Sequence, residues 1–154
     1  MKSEAELLAQ MRRFSPPTVA LLGMELLAVD PQAGSSRYRM TVTERLCNPM
    51  GNLQGGIITT MLDDTAAISL IVKAGRPIAV PTVEFKVSFF APAPLGSVVE
   101  SVGRCVKLGS RIGFAEADLL DTEGKLLARL STSVVIVEMK GKPLLPHLPQ
   151  GKHK

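Results

Sequence analysis

The chain has 154 residues, of which 45% are hydrophobic, enough apolar side chain for one packed domain and too much for a disordered chain. Five Phe, one Tyr and no Trp exclude a platform of aromatic rings for stacking bases. The net charge of +4 does not signal nucleic acid: Lys140, Lys142, Lys152 and Lys154 stand without acids at the C-terminal end, and the 14 other basic residues are matched by 14 acidic ones.

Residues 3–13 read as a short helix, with Ser3 and Glu6 spaced as a capping box and Leu7, Leu8 and Met11 on one stripe. Pro16-Pro17 ends it and opens a second short turn through Ala20–Leu22. Strands are predicted over Met24–Val29 and Arg37–Thr43, joined by the hairpin-like DPQAGSS. Residues 57–72 are apolar on nearly every face, the pattern of a helix surrounded by protein. Gly55-Gly56 stands at its start, and Lys73-Ala74-Gly75 stops it. Its two aspartates argue against a bilayer span.

The pattern then changes to period two. Val83, Phe85, Val87 and Phe89 alternate with Thr82, Glu84, Lys86 and Ser88. Strands Val98–Leu108 and Ile112–Leu120 follow around a Gly109-Ser110 turn, and DTEGK (121–125) turns into a last strand over Leu126–Val137. These four consecutive strands with short loops predict antiparallel pairing. The expected fold is α+β: one long buried helix wrapped by a six-stranded antiparallel sheet. One domain is predicted over 1–139 with an N-terminal helical extension, and 140–154 is expected to be a basic tail without regular structure. One helix covers little of six strands, so a second copy is expected to complete the burial.

Between Gly55 and Val72 the only charged residues are Asp63 and Asp64. An unpartnered carboxylate in an apolar helix is costly and marks a site or an interface. The two are about 100° apart on the helix and face different ways. Gly55-Gly56 would leave unpaired N–H groups open to a ligand atom, suited to a developing oxyanion. Asn48 lies seven residues before Gly55 and Asp63 eight after it; amide, N–H pair and carboxylate could converge on one carbonyl. Structural roles for the same residues, a subunit contact for the aspartates and an ordinary helix entry for the glycines, remain open at this point. Both histidines, His147 and His153, fall in the tail, and Cys47 and Cys105 form neither a disulfide framework nor a metal cluster. No metal or cofactor is expected, and nothing resembling a signal peptide leads the chain, so a cytoplasmic location is expected.

Asn48-Pro49-x-Gly51-x-Leu53-Gln54-Gly55-Gly56, with Asp63 nine residues after Gln54, resembles the hotdog-fold acyl-CoA thioesterases, in their phenylacetate-pathway (PaaI-type) branch. The likeness runs through VPTVEFKVSFFAPAPLG (80–96) and the DTEGKLL hairpin, over roughly residues 20–138. It implies hydrolysis of a small or medium-chain acyl-CoA, aromatic acyl groups included, to free acid and CoA. Asp63 would be base or nucleophile, Gly55 the oxyanion-hole N–H, Asn48 the residue orienting water or carbonyl, and Thr82 a hydroxyl positioning water from the facing subunit. Gly56, Ser110 and Arg111 are expected on the substrate, Arg111 at a CoA phosphate. Many members carry His where this chain has Gln54, which can donate to a carbonyl but does not titrate near neutrality. The implied assembly is a homodimer or a dimer of dimers, a homotetramer, with active sites at the subunit interface and no nucleic-acid or membrane partner. A non-catalytic acyl-CoA-binding protein of the same fold is the alternative.

Overall fold

The computed structural model describes residues 2–140; beyond Lys140 the expected tail, with both histidines, lies outside the described residues. Helix α1 (Glu4–Arg13) starts as its sequence dictates: the Ser3 hydroxyl accepts from Glu6 N–H, and the Glu6 carboxylate accepts from Ser3 N–H, a box worth about 1 kcal/mol. α2 (Pro17–Leu22) ends at Gly23, whose φ of 69° only glycine adopts without strain. Strands β1 (Glu25–Asp30) and β2 (Ser35–Thr41) form a hairpin whose tip is stapled by the Asp30 carboxylate, accepting from Gln32 and Ala33 N–H. After a single 3₁₀ turn (Glu44–Leu46) comes the long helix α3 (Gly55–Ala74). β3 (Ile78–Ala79), β4 (Thr82–Phe89), β5 (Val98–Leu108), β6 (Ile112–Leu120), β7 (Leu126–Val135) and β8 (Val137–Glu138) complete the chain.

Six strands make one antiparallel sheet in the order β1-β2-β5-β6-β7-β4, wrapped around α3, and β3 and β8 pair separately. This is the hotdog arrangement that the sequence leads one to expect, with one correction. β5, β6 and β7 are consecutive neighbours, but β4 does not pair with β5. It crosses to the far side and pairs with β7, while β2 takes the place beside β5. Pro92, Pro94 and Gly96, lying between β4 and β5, prevent a tight hairpin there and leave the longer crossover.

The seam between helix and sheet is made of small side chains. A Cβ on Gly103 would stand 2.5 Å from the Thr65 carbonyl oxygen, so only glycine lets β5 approach α3 this closely. The Ser36 hydroxyl donates to the same carbonyl at 2.8 Å, and the Thr65 and Ser101 hydroxyls share a 2.6 Å bond. All three hydroxyl residues are buried and satisfied, as polar groups in a core must be. α3 is long and apolar enough by composition to pass for a membrane span despite its two aspartates; nine of its residues are instead buried against the sheet.

The helix is not covered all round, as its composition predicts. A stripe through Gly56, Thr60, Asp63 and Ala67 stays partly open, one turn below another as i, i+4 and i+7 positions must be. Beside that stripe lies β4. Its register pairs Phe85, Val87 and Phe89 with the buried residues Thr132, Leu130 and Ala128, so all three point to the helix side of the sheet. Yet Phe85 is 45% exposed and Phe89 53%, with Val83 next to them at 60%. The alternation predicts which face these residues share; among the described residues Val87 packs partly against the core, while Phe85 and Phe89 stay largely exposed.

Candidate active site

The start of α3 is set by Gln54. Its backbone carbonyl accepts from Ile57 and Ile58 N–H, and its side-chain oxygen accepts from Ile57 N–H at 3.0 Å. The N–H groups of Gly55 and Gly56 have no acceptor among the described residues. Two donors are therefore left at the positive end of a 20-residue helix. The entry is held from behind, with Gln54 N–H on the Leu46 carbonyl and Leu53 N–H on the Ala93 carbonyl. Asn48 braces the preceding loop: its side-chain oxygen accepts from Met50 N–H at 3.0 Å and Asn52 N–H at 3.2 Å, which leaves its amide nitrogen as the group free to donate elsewhere.

The two glycines differ. A Cβ on Gly56 would meet the Gln54 side-chain oxygen at 2.8 Å. The space over Gly56 is thus taken by the helix cap itself, and what Gly56, expected on the substrate, can offer a ligand is its N–H. Gly55 looks into a different neighbour: its absent Cβ would lie 3.4 Å from the ring tip of Phe89. The sequence reading did not single out Phe89; the only signal was its place in the alternation of β4.

Two turns along the open stripe, the Asp63 carboxylate accepts from the Thr82 hydroxyl at 3.1 Å. Thr82 reaches Asp63 within one chain because β4 runs antiparallel to α3 and its first residue falls beside the third turn of the helix; the expectation that it serves the site of a facing subunit concerns a second copy and stays open to the proposal below. Burial pushes the Asp63 pKa above the ordinary carboxylate value, and the Thr82 bond pulls it partly back. Asp64 has a different employment. Its carboxylate accepts from the Thr18 hydroxyl at 2.5 Å, tying α2 to α3 on the other flank of the helix. Burial raises its pKa as well, the Thr18 bond opposes the shift, and neighbouring Asp63 adds to it.

Ser110 and Arg111 are exposed in the β5–β6 turn. Register across the sheet (Gly113 beside Val134, Val134 beside Thr82) puts that turn at the end where β4 begins. They share an end with Thr82 and Asp63, away from Gly55. Among the described residues Arg111 forms no ion pair, and no three His, Cys, Asp or Glu side chains come together.

One chain therefore carries two clusters. Gln54, Gly55, Gly56, Asn48 and Phe89 gather at the helix start; Asp63, Thr82, Ser110 and Arg111 gather at the other end of β4. The seven residues from Gly56 to Asp63 span about 10 Å of helix axis.

The sequence profile of the thioesterase superfamily matches residues 50–128, the stretch from the loop before α3 to the first half of β7. Acyl-coenzyme A thioesterase 13 of Mus musculus is 30% identical over 92 residues, 58% of this chain and 64% of the mouse protein, so the match falls short of two thirds of that relative's length. A Pseudomonas aeruginosa protein described as an esterase is 30% identical over 117 residues, 76% of this chain and 86% of its own. The crystal structure of a thioesterase-type, phenylacetic acid degradation-related protein from Ralstonia eutropha JMP134 superposes with a TM-score of 0.73 at 26% identity, covering 83% of this chain and 98% of that one. With half the chain inside the profile and helix, sheet and entry loop where that architecture puts them, this protein belongs to the thioesterase superfamily.

Proposed function

We propose that the protein hydrolyses small or medium-chain acyl-CoA thioesters to the free acid and CoA, as a homodimer joined along β4. The observation that carries this reading is the pairing of two free N–H groups at the start of α3 with a raised-pKa carboxylate on a partly open stripe of the same helix, facing β4. The name of the mouse relative supports an acyl-CoA substrate.

In this reading the thioester carbonyl oxygen lies on the Gly55 and Gly56 N–H groups, where it gains negative charge as water attacks. Asp63, held by Thr82, takes the proton from that water. The tetrahedral intermediate collapses with the C–S bond breaking, and the proton passes to the departing sulfur. The Gln54 and Asn48 amides flank the carbonyl, and Arg111 and Ser110 lie toward the CoA phosphates. General-base help of this kind is worth about 10²–10⁴-fold; loss of one oxyanion donor costs about 3–4 kcal/mol.

The dimer follows from reach. A carboxylate in contact with a carbonyl carbon, or one water from it, works over about 3 Å per step, and about 10 Å of helix separates the two clusters. A two-fold axis beside β4 sets two antiparallel helices together, so that the Gly55 end of one copy faces the Asp63 end of the other, twice. It also covers Phe85, Val87 and Phe89, and pairs an eight-residue open edge.

A thiol-release assay across CoA esters of increasing acyl length, with Asp63→Asn as control, tests the reading. Turnover by the wild type and loss in the variant support it. Binding of CoA esters without release of thiol would replace it with an acyl-CoA-binding role.

A further inference from the structure

On β4, the Phe89 side chain lies beside the start of α3. Its ring comes tip first: Cζ, Cε1 and Cε2 lie 3.4, 3.5 and 4.0 Å from where a Gly55 Cβ would stand. A Cβ at residue 55 would meet the ring at ordinary van der Waals distance, so the ring tip stands about one side-chain atom from the helix start. The ring is 53% exposed, beside one of the two residues whose N–H has no acceptor among the described residues.

We infer that Phe89 is the specificity-determining wall of the acyl pocket, the side chain that sets how long or bulky an acyl group the site admits. The inference rests on the thioesterase reading and goes beyond it by naming the residue that discriminates substrates. Two features assign Phe89 to the acyl group rather than to CoA. First, its side of β4 carries Phe85 and Val87, while register places Glu84 and Lys86 with Ser133 and Ser131 on the opposite side. A polyanionic nucleotide finds no cation there; a hydrocarbon finds only apolar surface. Second, a carbonyl oxygen seated on the Gly55 N–H places its acyl group beside an aromatic ring whose tip lies 3.4 Å from the Cβ position of residue 55. A ring directed tip first toward the helix start stands in the path of a growing acyl chain.

The test is a selectivity profile: kcat and KM for straight-chain CoA esters from two to twelve carbons and for one aryl ester, with wild type, Phe89→Ala, Phe89→Leu and Phe85→Ala, and the mass of each variant in solution. Opening the wall shifts the ratio of kcat/KM for long over short esters by at least about 10-fold in Phe89→Ala, the scale of a few methylenes gained in an apolar pocket. Phe89→Leu falls between. Phe85→Ala, on the same face two repeats of the pleat away, weakens assembly and leaves the ratio unchanged. An unchanged ratio in a dimeric Phe89→Ala overturns the inference while the hydrolase reading stands. A uniform fall over all esters together with loss of the dimer also overturns it, making Phe89 an interface residue only. A wild type that releases no thiol from any ester removes the hydrolase reading and this inference together.

Discussion

The sheet has two edges, and they are finished in opposite ways. At β1 the chain closes the edge itself. α1 lies along it, the Arg12 guanidinium donates two hydrogen bonds, 3.0 and 2.7 Å, to the Leu26 carbonyl, and a bulge between Leu26 and Ala28 breaks the ladder. A covered, kinked and charged edge is how a strand avoids recruiting another chain. At β4 none of this is present among the described residues. Eight residues run with their outer backbone unpaired, and Val83, Phe85 and Phe89 stay largely exposed. The same chain that spends a helix and an arginine on one edge leaves the other open, beside both clusters of candidate site residues. The difference is what the proposed dimer rests on: the open edge lies beside the candidate site.

The comparison can be broken most sharply at the two adjacent aspartates. Asp63 faces β4 and Asp64 faces α2. Asp63→Asn is expected to lower kcat at least about 100-fold with an unchanged melting temperature. Asp64→Asn is expected to leave kcat within a small factor and to cost about 1 kcal/mol of stability through the Thr18 bond. Steady-state kinetics and thermal unfolding on the two variants check both. At the open edge itself, Phe85→Glu puts a charge on the bare face. Sedimentation is expected to show monomers, and activity falls at least as far as in Asp63→Asn, about 100-fold or more, with the helical circular dichroism retained, since a buried unpaired charge is tolerated in the free chain but not in the pair.

The pH–rate profile sharpens the role of the β4 side. Asp63 must be ionised to accept a proton, and burial raises its pKa. Activity is therefore lost on acidification at a pH above the titration of an exposed aspartate. Thr82→Val removes the bond that favours the anion, and the acid limb of kcat/KM moves further up; a limb that stays in place assigns it to another group. The smallest effect is expected at the guarded edge: Arg12→Ala costs about 1–2 kcal/mol in denaturant unfolding and changes neither mass nor kcat.

How much of this was legible in the sequence depends on the range of the interaction. The α1 box, the bounds of α3 at glycines and the strands β5 and β6 are written locally, in caps and periodicity, and the structure keeps them within a residue or two. The partner of β4 is not local. Short loops point to β5, but packing around α3 inserts β2 there and sends β4 to β7. Alternation likewise tells that Phe85, Val87 and Phe89 share a face and is silent on whether anything covers it. At the site, Asp63 and the Gly pair stand out because a charge and flexible residues interrupt an apolar run. That Gln54 fills the space over Gly56, that Asn48 braces its own loop, and that Phe89 meets Gly55 are contacts between side chains whose distances no spacing encodes.

The close approach at Gly103 bears on how such a protein can change its diet. With the Thr65 carbonyl occupying the place of a Cβ and three hydroxyls locking the joint, α3 is bolted to β5 and has no travel. In the dimeric hydrolase proposed above, new substrates would then be accommodated by remodelling the opposite bank, β4 and the copy set against it. Directed evolution for altered chain length should accordingly accumulate its changes along β4, and libraries aimed at the helix–sheet joint should return mostly unfolded protein.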